Sequence, residues 1–137
     1  MHREVVQPPG LGAPIGPYSH IFSVDVQSFT RLVFIAGQVA FDRDGNLVGA
    51  NDMGAQFQQV YANLQAAVEA AGGTMANIVC LRTYLTRAED LPVFNESRAA
   101  HYPRLFPDGV YPPNTLLIID RLVNPDLLLE IEAVAAI

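Results

Sequence analysis

Cysteine, charged residues and long hydrophobic runs are all scarce in this sequence of 137 residues. The single cysteine, Cys80, excludes an internal disulfide and a cysteine-based zinc site. No apolar run approaches the ~20 residues of a membrane-spanning helix. The opening segment, MHREVVQPPG, lacks the apolar stretch of a signal peptide. We therefore expect a cytoplasmic protein that has no membrane partner.

Basic residues are few as well. The 8 Lys and Arg residues are outnumbered by 14 Asp and Glu residues, so the net charge is -6 and the pI is about 4.8. This balance argues against binding to nucleic acid or to anionic lipid. The three histidines share no metal-ligand spacing, and no P-loop, GxSxG or dinucleotide motif occurs. The common nucleotide, hydrolase and metal sites are therefore not predicted.

What the sequence does contain is hydrophobic: 50% of its residues are apolar. That content supports a buried core at this length, and we expect one domain over residues 1–137. Gly and Pro cluster in two predicted loops, at 8–17 and 103–113. Periodicity and composition predict strands at 20–26, 32–36, 78–86, 115–120 and 127–135, and helices from Asn51 or Asp52 to Ala71 and from Asp90 to about Tyr102, before Pro103.

The predicted element order is ββαβαββ, with the first two strands able to form a hairpin through residues 27–31. Two helices and a mostly antiparallel sheet indicate an α+β sandwich with both helices on one face. The strands at 32–36, 115–120 and 127–135 are nevertheless apolar on both sides, a pattern typical of strands buried on both faces. We therefore expect the second face to contact another subunit.

Two carboxylates interrupt the last apolar strand. Glu130 and Glu132 are two residues apart, so they share one face of the strand. A carboxylate is costly in apolar surroundings unless it is paired or used. Two interpretations remain open: a salt bridge at a subunit boundary, or an acid–base group in a cleft between subunits.

Several segments, in order, resemble the RidA (YjgF) family. They are GPYSH at 16–20, FIAGQVAFDRDGNLVG at 34–49, QVYANLQAAVEAAGG at 59–73, IVCLRTYLTRAEDLPVFNE at 78–96 and LLLEIEAVA at 127–135. The resemblance implies a chorismate-mutase-like ββαβαββ fold and a homotrimer with small-molecule ligands in its subunit clefts. It also implies hydrolysis of reactive imines and enamines to keto acids and ammonia, without a metal or organic cofactor.

Carried over position by position, the resemblance assigns catalytic roles to Glu130 and Tyr18 and a ligand contact to Asn95. Ala36 stands where the family has a serine. Tyr18, Asn95 and Glu130 therefore keep the family residue, whereas the serine hydroxyl is lost at Ala36.

The segment YPPNTLL departs from the family pattern. Asn114 replaces an arginine that grips the substrate carboxylate in typical members, and Thr115 replaces the following serine. A neutral amide cannot balance an anionic ligand as a guanidinium does. Asn114 therefore either caps a loop after Pro113 or marks a pocket for a different ligand, with Arg82 as a possible replacement cation.

The leading prediction is a RidA-like imine or enamine deaminase with altered substrate choice. The alternative is a trimer that binds a small metabolite without turnover. An RNA-cleaving role is the third hypothesis, and the acidic pI speaks against it.

Overall fold

Residues 1–137 are all described by the computed structural model. Strand β1 (Arg3–Val6) pairs antiparallel with β2 (Ile21–Val24) in a separate two-stranded ribbon. The expected hairpin between β2 and the next strand is therefore wrong. The Asp25 side chain accepts from the Gln27 amide at 2.9 Å and caps a short 3-10 helix, which replaces a tight hairpin turn.

The main sheet has four strands in the order β3-β6-β4-β5. They are β3 (Leu32–Gln38), β4 (Ile78–Leu85), β5 (Asn114–Ile118) and β6 (Leu129–Ala136). Strand β6 runs antiparallel to β3 and β4, whereas β4 and β5 are parallel. The mixed sheet of an α+β fold is confirmed.

Two helices follow the predicted order. Helix α1 (Met53–Ala70) begins where Asp52 accepts from the Ala55 amide at 3.0 Å, and the chain leaves it through Gly72 at φ +92, a conformation that glycine adopts without strain.

Helix α2 (Leu91–Leu105) continues past Pro103, so its predicted end is wrong. A proline inside a helix removes one backbone hydrogen bond, and its ring crowds the carbonyl four residues earlier. Burial of Tyr102 and Leu105 in the core offsets that loss.

The hydrophobic core lies between the helices and one face of the sheet. Phe57 of α1, Phe94 of α2 and Ile131 of β6 are fully buried there. Neither helix combines the length and apolar character needed to cross a membrane. Both helices pack on this one face, as the sequence predicts.

The opposite side, which we call the open face, has no helix against it. It carries the alternate residues of all four strands: Phe34 and Ala36 on β3, Arg82 and Tyr84 on β4, Thr115 and Leu117 on β5, and Glu130 and Glu132 on β6. Phe34 is 77% exposed and Leu117 is 51% exposed. Large apolar side chains therefore meet solvent on this surface of the single chain.

Candidate functional site

Glu130 and Glu132 lie on the open face with different neighbours. In the β4–β6 ladder Glu132 stands opposite Arg82, and Glu130 stands opposite Tyr84. Arg82 Nη1 donates to Glu132 Oε1 at 2.7 Å. Glu130 has no basic partner within salt-bridge distance. Glu132 therefore fits the salt-bridge interpretation. Glu130 has no ion-pair partner, so the acid–base interpretation remains open for it.

The environment of Glu130 disfavours its charged form. Burial raises the pKa of the Glu130 carboxyl above its ordinary value, and the negative charge of Glu132 raises the pKa further. A raised pKa makes an ionised carboxylate a stronger proton acceptor. This is the chemistry that the acid–base interpretation requires.

Gly37 lets the Glu130 carboxylate lie against the backbone of β3. The β3–β6 register shifts between Ile35 and Gln38, which places the irregularity at Ala36 and Gly37. A Cβ added to Gly37 would overlap the Glu130 carboxylate. Sequence reasoning did not single out Gly37 as a site residue, although an isolated glycine inside a strand signals a bulge or a close approach.

Tyr18 and Asn95 belong to a second group, on the helix side of the molecule. The loop that carries Tyr18 packs on α2, where the Cβ position of Gly16 is 3.5 Å from Arg98 Nη2 and 3.9 Å from Tyr18 Cδ1. Arg98 Nη2 donates to Asn95 Oδ1 at 2.7 Å. Arg98 therefore joins the Tyr18 loop to Asn95.

The Tyr18 loop is also fixed to the segment that precedes β5. Ser19 Oγ donates to the Tyr111 carbonyl at 2.6 Å. The loop thus lies between α2 and the start of β5, close in sequence to Asn114.

Asn114 and Thr115 face opposite sides of β5. Asn114 is in register with Leu81 on the helix side, and its Oδ1 accepts from the buried Thr83 hydroxyl at 2.8 Å. Thr115 is in register with Arg82 on the open face. The two residues therefore cannot act side by side within one chain.

The predicted site residues thus form two groups separated by the sheet. The open-face group contains Ala36, Arg82, Thr115 and Glu130. The helix-side group contains Tyr18, Asn95 and Asn114.

No concave site of the single chain unites the two groups. None of its five main pockets is lined by Tyr18, Asn95 or Glu130. No group of three or more His, Cys, Asp or Glu residues could hold a metal ion. Within one chain the predicted site residues therefore do not line a closed pocket.

Residue 98 is the functional candidate that sequence reasoning missed. The Arg98 side chain is nine-tenths buried, between Phe94 and Tyr102 on the stripe of α2 that faces the core. The available signal was the spacing itself, because a residue four positions from one aromatic and four from the next shares their face. A charged residue at such a position calls for a partner or a use.

Comparisons with known proteins agree with this architecture. The family model described as endoribonuclease L-PSP matches residues 11–137. The chain is similar to YyfB of Yersinia pestis, a protein of unknown function of the conserved Rid protein family, with 37% identity, a TM-score of 0.82 and full coverage of both chains.

Two further solved structures are similar over nearly their whole length. RidA from an Antarctic Psychrobacter species shares 30% identity at a TM-score of 0.66, with 98% of this chain and 99% of that chain covered. The YjgF gene product of E. coli shares 26% identity at a TM-score of 0.69, with 97% and 98% covered. The matched segment contains every predicted site residue. The chain belongs to the endoribonuclease L-PSP family, which is the Rid/YjgF family.

Proposed function

We propose that this protein is a RidA-type hydrolase of reactive imines or enamines, with Glu130 as its acid–base group. The observation that carries the proposal is the state of Glu130: an unpaired carboxyl of raised pKa, held against Gly37 on the open face. Glu132, two residues away, is occupied by Arg82. The neighbouring ion pair leaves one carboxylate free for proton transfer.

The reaction needs a proton acceptor and then a proton donor. In the first step the Glu130 carboxylate takes a proton from water as the water oxygen bonds to the C=N carbon, and the π electrons move to nitrogen. In the second step the same carboxyl returns that proton to the nitrogen, and a carbinolamine forms. In the third step Glu130 carries the carbinolamine hydroxyl proton to the nitrogen as the C–N bond breaks and the C=O bond forms, which gives a carbonyl compound and ammonia. Proton transfer of this kind contributes roughly 10²–10⁴ in rate.

The proposal requires contact between chains, because the two groups of predicted site residues lie on opposite sides of one sheet. We infer a homotrimer in which Tyr18 and Asn95 of one subunit meet Ala36 and Glu130 of its neighbour. Exposed apolar side chains on the open face, with Phe34 at 77%, support burial in an assembly. The family resemblance supplies the number three.

We expect the substrate preference to differ from that of typical family members, because Asn114 replaces their arginine. The Asn114 carboxamide oxygen is already used by Thr83, and the charge of Arg82 is balanced by Glu132. Neither residue offers a free cation to an anionic imine. Recognition of the ligand must therefore differ from that of members that keep the arginine.

The test is hydrolysis of imines generated in the assay from several amino acids by an amino-acid oxidase, followed as carbonyl formation. We expect Glu130→Gln to lose turnover at least a hundredfold while the oligomer persists. The matched control is Glu132→Gln on the same strand and face, which should keep most of the activity. Equal turnover by wild type and Glu130→Gln would reject the proposal.

A trimer that binds a small metabolite without turnover is the second candidate. The feature that favours it is Asn114, because its hydrogen bond with Thr83 suits a structural role better than substrate binding. A ligand-induced rise in melting temperature without turnover of any imine would select this candidate. Cleavage of RNA gains no support from a chain of net charge -6.

A further inference from the structure

Arg98 is a buried cation without a counter-ion. Its side chain is 9% exposed, and its guanidinium lies 5.0 Å from the centroid of the Phe94 ring. The three ion pairs of the chain are Arg3–Asp108, Arg82–Glu132 and Arg87–Asp90. The guanidinium therefore has no carboxylate of its own.

The Tyr102 hydroxyl lies close enough to interact with the Arg98 guanidinium, but part of the hydrogen-bonding capacity of Arg98 is unused. Nη2 donates to Asn95 Oδ1, whereas Nε is buried and has no partner. A buried donor without an acceptor is unfavourable, and the cost is larger for a charged group. The observed arrangement lacks an acceptor at the Nε edge of the guanidinium.

The surroundings suit an anion of small size. Gly16 borders the Nη2 side and places no side chain there. Asn95 is exposed, so the group opens to solvent at this point. Nε–H and Nη2–H together form the planar fork that matches the two oxygens of a carboxylate.

We propose that Arg98 forms, with Asn95 and the Gly16–Tyr18 loop, a binding site for the carboxylate of a small ligand. In this role it supplies the cation that Asn114 lacks, from a different element of the fold. Binding at the Nε edge requires the Gly16–Tyr18 loop to move, because Nε is buried in the single chain. Binding itself depends only on the buried cation, whereas the identification of the ligand as an imine substrate or keto product rests on the proposed function.

The test compares two probes of the same shape and different charge. Pyruvate carries a carboxylate, and pyruvamide carries a neutral amide in its place. With the full chain, we expect calorimetry to detect pyruvate binding that is at least about tenfold tighter than pyruvamide binding, since hydrogen bonds to charged partners are the stronger class. Absence of pyruvate binding, or equal binding of the two probes, would overturn the proposal.

Variants on α2 locate the site. Arg98→Met should weaken pyruvate binding at least about tenfold, while Arg104→Met, an exposed cation on the same helix, should leave it unchanged. Arg98→Met replaces an unpaired buried charge by an apolar chain, so its melting temperature should not fall. Unchanged pyruvate affinity in this variant would reject Arg98 as the anion site.

A second variant covers the possibility that Arg98→Met does not fold. Arg98→Lys keeps the charge and removes the planar fork, so pyruvate should bind several-fold more weakly to a folded Arg98→Lys protein. Undiminished binding would contradict the proposal.

The two proposals fail in different ways. If Arg98→Met loses pyruvate binding and the wild-type protein hydrolyses no imine, the anion-site proposal stands and the hydrolase proposal fails. If wild type hydrolyses anionic imines and Arg98→Met shows an unchanged KM, the hydrolase stands and the anion site fails.

Discussion

Arg82 and Glu132 face each other across β4 and β6, with Nη1 and Oε1 separated by 2.7 Å. The pair lies directly beside Glu130 and Tyr84 on the open face. It neutralises the cation that the sequence offered as a replacement arginine. It also leaves Glu130 beside a negative charge that contributes to its raised pKa.

The first prediction concerns pH and stability. Burial and Glu132 raise the pKa of Glu130 in the folded chain, so ionising this carboxyl opposes folding. The penalty is absent at acid pH, where Glu130 is protonated in both states. It develops as the pH rises through the unfolded pKa and is complete above the folded pKa. The melting temperature of Glu130→Gln should therefore be higher than that of wild type at pH 7 and equal to it at about pH 3.

The control is Asp42, whose pKa shifts in the opposite direction on folding. Backbone hydrogen bonding by the Asn46 amide, the largest cause, lowers the pKa of Asp42, so its ionised form favours folding. Asp42→Asn should melt below wild type at pH 7 and lose that difference in acid. A lower melting temperature for Glu130→Gln at pH 7 would contradict the assigned environment of Glu130.

The second prediction concerns Gly37. Its Cβ would overlap the Glu130 carboxylate, so Gly37→Ala should displace that side chain and lower kcat/KM at least about tenfold. Because the overlapped atoms belong to a flexible, half-buried side chain, the free energy of unfolding in urea should fall by less than about 1 kcal/mol. Gly12→Ala is the control, because no atom lies within 4 Å of its Cβ position. Full activity in Gly37→Ala would show that catalysis does not require the close contact between Glu130 and Gly37.

The third prediction concerns the open face. Phe34→Glu places a charge where Phe34 is 77% exposed in one chain. If the trimer buries this position, the charge should dissociate it, because an unpaired buried charge costs several kcal/mol. Light scattering measures the mass. Val123→Glu, at an apolar side chain that is 81% exposed outside the sheet, should remain a trimer; an intact trimer in Phe34→Glu would place the interface elsewhere.

The fourth prediction concerns Asn114. Its Oδ1 is the acceptor for the Thr83 hydroxyl, and Thr83 is fully buried. Asn114→Ala leaves that hydroxyl without an acceptor and should lower the free energy of unfolding by about 1–3 kcal/mol. Thr115→Ala, one residue along on the open face, should change it by less than about 0.5 kcal/mol. Equal effects of the two changes would mean that the Thr83 contact adds little.

Features that depend on local periodicity can be predicted from the sequence. Apolar periodicity predicted α1 with Asn51 or Asp52 as its cap, and Asp52 is the residue that caps it. The two-residue spacing of Glu130 and Glu132 placed both on one face, as the β4–β6 ladder confirms. Helix and strand repeats are fixed by backbone geometry, so neighbouring residues carry this information.

Contacts between residues that are distant in the sequence are visible only in the folded chain. The partner of β2 is β1 rather than β3, the Glu132 carboxylate is taken by Arg82, and Arg98 is left without a carboxylate. Asn114 and Thr115 are adjacent in sequence, yet the pleat sends one to Thr83 and the other to the open face. Charge compensation and burial depend on neighbours brought close by folding, and a linear pattern does not specify those neighbours.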